Sequence, residues 1–192
     1  MKRNGFSVIE LMIVIVILAV IGVTAASKFL NVNEDAEISK VKAYSAKFKQ
    51  AVDFAKAKWA INGNRNYIVN LSGYLSGDVD VNAYGYPVGI NKGNNATGNM
   101  GSPFQIGRGN RGCADLWNKL LEDAPSISHN NNDQDFRSYR FSSGLNPVTP
   151  SVNDSCAFVF RKLGDNSGRN SALVKITYNA TNGSVLFEDN RL

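Results

Sequence analysis

Histidine is almost missing: His129 is the only one in 192 residues. That excludes a multi-histidine metal centre and leaves little for a Ser-His-Asp arrangement. Charge is sparse, at 19% of residues, and the formal net charge is +5. So mild an excess does not argue for a nucleic-acid binder. No internal repeat is visible, and no cluster of acid, base and nucleophile side chains. The chain is therefore expected to be no enzyme and to need no cofactor or metal. Glycine and asparagine are plentiful, which suits an exposed, loop-rich domain. The length allows one long helix and a single globular domain of about 130 residues.

What is present is concentrated at the start. From Leu11 to Ala26 every residue is apolar or small, with Thr24 the only hydroxyl. A membrane span needs roughly 17–25 such residues. Glu10 is the one charge between Gly5 and Ala26, and an intramembrane carboxylate costs several kcal/mol unless it finds a partner. A secretory signal would have an apolar core of about 7–15 residues and an Ala-x-Ala-like exit. Lys2 and Arg3 supply its positive start, but the core is long, Glu10 interrupts it, and Val23-Thr24-Ala25-Ala26 is only a loose exit site. A plain anchor has no use for the carboxylate.

The run Lys2-Arg3-Asn4-Gly5, followed by Phe6-Ser7-Val8-Ile9-Glu10-Leu11, resembles the leader and mature start of type IV pilins and related pseudopilins. The resemblance implies cleavage between Gly5 and Phe6 by a prepilin peptidase on the cytoplasmic side, then N-methylation of Phe6. Small, flexible Gly5 suits a protease subsite, and Lys2 and Arg3 hold the leader inside by the positive-inside rule. Losing those two side chains lowers the net charge from +5 to +3. The stretch from Val23 to Asn31 resembles the mannose-sensitive haemagglutinin (MSHA) branch of these pilins. So do Cys113-Ala-Asp-Leu-Trp-Asn-Lys-Leu-Leu121 and Ile176-Thr-Tyr-Asn179 with Gly183-Ser-Val185. Two departures stand out. Many family members carry proline where this chain has Ser27, and glycine where it has Ala19; those residues favour local unwinding, and here only Gly22 remains.

Cleavage would leave an α-amino group on Phe6, mostly protonated at neutral pH, and methylation keeps that charge. Cation and carboxylate in one apolar environment recover part of the desolvation cost each bears alone. A staggered neighbouring subunit could bring its amine onto Glu10, which would recruit and align incoming copies. With export implied, Cys113 and Cys156 are expected to pair; two buried free thiols are the alternative. The bond would close a loop with 42 residues between its ends, worth about 4 kcal/mol in the loop-entropy model.

Past Ala26, Ile38, Val41, Phe48, Val52, Ala55 and Trp59 recur at helical spacing, with Ser45 filling one slot, while most lysines fall elsewhere. This is an amphipathic continuation of the helix, stopped by Asn62-Gly63-Asn64. A helix continuous from Phe6 would span roughly 80 Å. Residues 63–112 read as a long connecting loop with one or two short strands near 67–71 and 79–88. A short helix over 113–123 places Leu116, Trp117, Leu120 and Leu121 on one side. Strand-like runs follow at 136–141, 157–163, 172–178 and 184–187, the last two joined by a hairpin over 179–183 containing Asn-Gly. The expected architecture is α+β, the type IV pilin fold: a long N-terminal helix packed on a C-terminal antiparallel sheet of four strands. The expected segments are a leader (1–5), an apolar membrane and assembly helix (6–26), its amphipathic continuation (27–62) and a globular head (63–192).

Other motifs carry little. Gly107-Arg-Gly-Asn-Arg-Gly112 has dinucleotide-turn spacing without the strand–turn–helix–strand context, and reads as a flexible surface loop. Residues 130–135 after His129 offer two carboxylates, but their spacing fails the EF-hand pattern. Asn70, Asn95, Asn153, Asn179 and Asn182 each open an Asn-x-Ser/Thr triplet, unsurprising in so Asn-rich a chain. Trp59 and Trp117 sit at core-like helical positions rather than as base-stacking platforms.

The resemblance implies a structural subunit of an MSHA-like pilus, used for adhesion and polymerising through its N-terminal helix. Its partners would be other pilin subunits, prepilin peptidase, the inner-membrane assembly machinery and, before assembly, membrane lipid; nucleic acid is not expected. It would span the inner membrane once and then move to an extracellular pilus. The rivals are a pseudopilin of a type II secretion apparatus, a minor pilin of DNA uptake and a membrane-tethered periplasmic enzyme.

Overall fold

Valine and isoleucine dominate Val8–Ala25, and both are mediocre helix formers in water. The segment is nevertheless helical, as it must be in lipid, where every backbone N–H and C=O has to be satisfied within the segment. The computed structural model of the chain describes residues 7–94 and 96–191, and their side chains apart from those of 26–31. One helix, α1, runs Val8–Ile61. It passes without interruption through Gly22 and Ser27, so the missing proline and second glycine coincide with an unbroken helix. The chain divides into two compact units, one through Lys40 and one from Val41.

In the first unit, Val8–Ala25 is long and apolar enough to cross a membrane, and nothing within the structure buries it. The Thr24 hydroxyl bonds back to the Val20 and Ile21 carbonyls, so the one hydroxyl in the run is satisfied inside the helix.

In the second unit, Val41, Ser45, Phe48, Val52 and Ala55 are buried, which fits the three- and four-residue spacing of the stripe. The helix stops as Gly63, at φ 71°, turns its N–H onto the Ala60 carbonyl, the left-handed C-terminal turn that glycine permits. Two short strands follow, β1 (Val79–Val81) and β2 (Pro87–Ile90), paired antiparallel. Next comes α2 (Gly109–Leu120), then β3 (Ile127–Ser128), β4 (Phe136–Phe141), β5 (Ser155–Phe160), β6 (Val174–Asn179) and β7 (Val185–Asp189). The main sheet has the order β3-β4-β5-β6-β7. Its last four strands form an antiparallel meander, and β3 joins parallel to β4.

The core lies between that sheet and the two helices. Phe48 of α1 sits 5.3 Å from Phe158 and 5.5 Å from Tyr178, ring centroid to centroid. Trp117 of α2 lies 4.7 Å from both Phe136 and Phe158. Aromatic pairs at such separations contribute about 0.5–1.5 kcal/mol each beyond the area they bury. The architecture is α+β and consistent with the pilin fold.

Four expectations need correction. The sheet has five strands and is mixed, because two residues before β4 pair parallel to it. The short strand expected near 67–71 does not form, Ile68 making only an isolated bridge to Val81, whereas short strands do form at the 79–88 piece, as β1 and β2 of a separate two-stranded sheet. β5 spans Ser155–Phe160 rather than 157–163, since Arg161 begins a turn closed by the Gly164 N–H. The second helix starts at Gly109, four residues before Cys113, and ends at Leu120.

Candidate functional site

Ser7 and Glu10 form the start of α1. Ser7 Oγ accepts the Ile9 N–H at 3.2 Å, and Glu10 Oε2 accepts the Ser7 N–H at 2.8 Å. This is a capping box: two backbone donors that a helix start leaves orphaned are answered reciprocally by side chains three positions apart. It also sets a carboxylate at the positive end of the helix dipole. Among the described residues the carboxylate accepts one hydrogen bond, and an ionised carboxylate has about four acceptor sites, so it has the capacity to meet a cation. The Ser-x-x-Glu spacing was there to be seen in the sequence. It is easily passed over when Glu10 is weighed only as a charge. Gly5 and Phe6, the expected cleavage and methylation positions, lie outside the described residues.

From Val8 to Val23 the large apolar side chains are exposed. A continuous apolar surface of this extent marks a membrane or protein contact. Glu10 is its single charge. Chemically, the segment can partition into lipid, or into a sheath of like helices, with one acidic group to be matched.

The head is fastened by Cys113–Cys156, whose Cα atoms lie 5.6 Å apart. The bond ties α2 to the buried central strand β5. Sequence reasoning missed three buried carboxylates. Asp154 is fully buried and accepts the Ser143 N–H (2.9 Å) and the hydroxyls of Ser143 (2.7 Å), Ser155 (3.1 Å) and Thr181 (2.7 Å). It thereby joins the 142–154 loop to the β6–β7 turn. Asp80 accepts the backbone N–H groups of Asn70, Lys92 and Gly93. Asp165 accepts those of Ser167 and Leu173, with the buried Arg161 guanidinium 3.9 Å away. Burial alone would raise the Asp165 pKa, but these hydrogen bonds and Arg161 hold it below the usual carboxylate range. Such groups read as loop polarity in a sequence, because their donors come from distant backbone.

The other flagged residues have structural partners. The Gly107–Gly112 stretch is no flexible loop: its second half is the first turn of α2, and Gly107 and Gly112 are buried. A Cβ on Gly112 would sit 1.6 Å from the Gly107 carbonyl oxygen, so glycine is required there for close packing. His129 is exposed. Asp135 takes the Ser126 N–H and pairs with Lys162. Among the described residues no group of three or more His, Cys, Asp or Glu side chains could hold a metal ion. Trp117 is fully buried. Trp59 is only half-buried, donates to the Asn66 carbonyl at 2.8 Å and carries the Lys56 ammonium 4.5 Å over its ring. Asn179 is buried and Asn95 lies outside the described residues.

The family model for the prokaryotic N-terminal methylation motif matches residues 1–26. No curated protein and no solved structure matches the chain. The motif supports a prepilin resembling type IV pilins or pseudopilins. It implies processing by prepilin peptidase and assembly with other pilin subunits. Together with the exposed apolar helix it fits a membrane-anchored pilin.

Proposed function

We propose that this chain is a non-catalytic structural subunit of an MSHA-like type IV pilus, polymerising through its N-terminal helix into an extracellular filament for attachment. One observation carries the reading: the methylation motif opens onto a fully exposed apolar helix whose single charge stands at its first turn. The helix first resides in the inner membrane as a single span. It then exchanges lipid for neighbouring helices, so apolar burial persists while contacts between subunits are gained. Cleavage at Gly5 gives Phe6 a cationic terminus, and the Glu10 carboxylate of an adjoining copy neutralises it. The MSHA branch is favoured by the resemblances from Val23 to Asn31, from Cys113 to Leu121 and around Ile176 and Gly183. A type II pseudopilin shares the N-terminal chemistry. The disulfide and the long 63–112 segment favour the pilus.

Mass analysis of the processed subunit should find methylated Phe6 at its start, and sheared surface filaments should contain the chain. A mature terminus elsewhere removes the geometry of the pair. Short periplasmic fibres accompanied by a protein-secretion defect favour the pseudopilin.

A further inference from the structure

We propose that the head binds a second copy of itself head-to-tail, the 142–154 loop of one subunit entering an apolar groove at the far end of the next. This rests on the assembly reading above. The groove has a volume of about 600 Å³; its apolar lining is Tyr44, Ala51 and Phe54 of α1, Tyr74, Leu75, and Leu121 after α2, and the charged side chains of Lys47, Lys119, Glu122 and Asp123 also border it. Tyr74 is fixed by its hydroxyl donating to the Ala51 carbonyl at 2.7 Å, so the floor is preformed. Phe54 and Leu75 stand 59% and 56% exposed. Leu75 holds φ at 45°, a region bulky residues rarely occupy and that costs about 1–3 kcal/mol. That conformation presents an apolar side chain at the groove.

The loop that would fill it is the matching feature. Leu145 and Val148 are 62% and 63% exposed, and no charge occurs from Ser142 to Asn153. The loop is held rigid from inside. Asp154 takes the Ser143 N–H and hydroxyl, and buried Asn146 takes the N–H groups of Val148 and Thr149. Pro147 and Pro150 restrict it further. A stiff, apolar knob enters a groove with little ordering entropy and brings no charge of its own. Of the seven large apolar side chains exposed from Val41 onward among the described residues, two line the groove and two form the knob.

Knob and groove lie at opposite ends of β4. The start of α2 meets the end of β4, where Asn110 Oδ1 accepts the Arg140 N–H at 2.8 Å, and the knob loop continues from there. The end of α2 meets the start of β4, where Trp117 packs 4.7 Å from Phe136, and the groove lies beyond it. Six strand residues separate the two by about 17 Å. The knob of one subunit therefore reaches only the groove of another. Such heterologous contacts do not pair off; they close into rings or, where the rotation between copies does not close, propagate into open helical filaments.

The test is a paired cysteine substitution, Leu75→Cys with Val148→Cys, in the full chain expressed in cells that assemble it. Both native cysteines are already joined to each other. Oxidised filaments should run as a ladder of covalent multimers on non-reducing gels, collapsing with reductant, whereas either single substitution should give no ladder. Normal filaments from the double variant without a ladder overturn the knob-in-groove contact and leave the assembly reading standing. No filaments from the wild-type chain overturn both. If the double variant does not assemble, hydrogen exchange on wild-type filaments decides. Slowing of at least tenfold at residues 143–149 and 74–76, relative to the solubilised subunit, supports the contact, and unchanged exchange there refutes it.

Discussion

Glu10 folds back onto Ser7, its Oε2 accepting the Ser7 amide hydrogen at 2.8 Å. On the proposed reading this side chain has two tasks of different chemistry. Closing the helix start requires only an acceptor. Matching the α-amino group of a neighbouring Phe6 requires negative charge. The cap also explains how an acidic residue is tolerated there before assembly: it satisfies a backbone donor that lipid cannot.

The disulfide should be the largest single stabilising link in the head. Replacing Cys113 and Cys156 together by alanine should lower its stability by about 2–5 kcal/mol, the usual cost of losing such a bond. Denaturant titration of the detergent-solubilised subunit measures this. An unchanged midpoint would show that the bond adds nothing to the stability of the head.

Asp154→Ala should destabilise the head by about 3 kcal/mol or more, because four donors lose their acceptor and stranded buried donors each cost about 1–3 kcal/mol. Amide exchange in the 142–150 loop and at Thr181 should accelerate together, since the carboxylate holds both. Faster exchange in only one of them would contradict that linkage.

Alkaline stability should show a rise and then a fall. Burial pushes the Lys92 amine down to about 8, against the opposing pull of Asp80. Above that pH the folded chain releases the proton while the unfolded chain keeps it until the ordinary lysine range. The unfolded state then binds more protons, so stability from this group rises with pH. Burial pushes the Tyr74 phenol up to about 12. Above about pH 10 unfolded tyrosine ionises first, and stability falls. Thermal midpoints of Lys92→Met between pH 8 and 10 should lack the rise; an identical slope in both proteins would rule the assignment out.

Much of the fold was legible where one periodicity dominates. The stripe through Val41, Phe48 and Val52 found its sheet, Trp117 found the core, β4 has the expected bounds, and the Asn-Gly turn joins β6 to β7. What escaped depends on distant backbone. Strand β3 is two residues long and exists through its pairing with β4. Strands β1 and β2 were legible as an apolar piece over 79–88, but their pairing with each other was not. Gly112 reads in the sequence as part of a flexible surface loop but is a packing position against the Gly107 carbonyl. At the candidate site, the apolar run and its charge were plain. The cap was written as Ser-x-x-Glu, yet beside so conspicuous a charge its local role was easily overlooked.

The central claim is that Glu10 acts in assembly through its charge, and Glu10→Gln tests it most directly. Glutamine serves the capping box as well as glutamate does, so the helix start is preserved while the negative charge is lost. Counting filaments by electron microscopy in cells with equal amounts of membrane-inserted subunit, we expect Glu10→Gln to be as deficient as Glu10→Val. Wild-type filament numbers from Glu10→Gln would show that the carboxylate only caps its own helix, and the intersubunit pairing would be wrong.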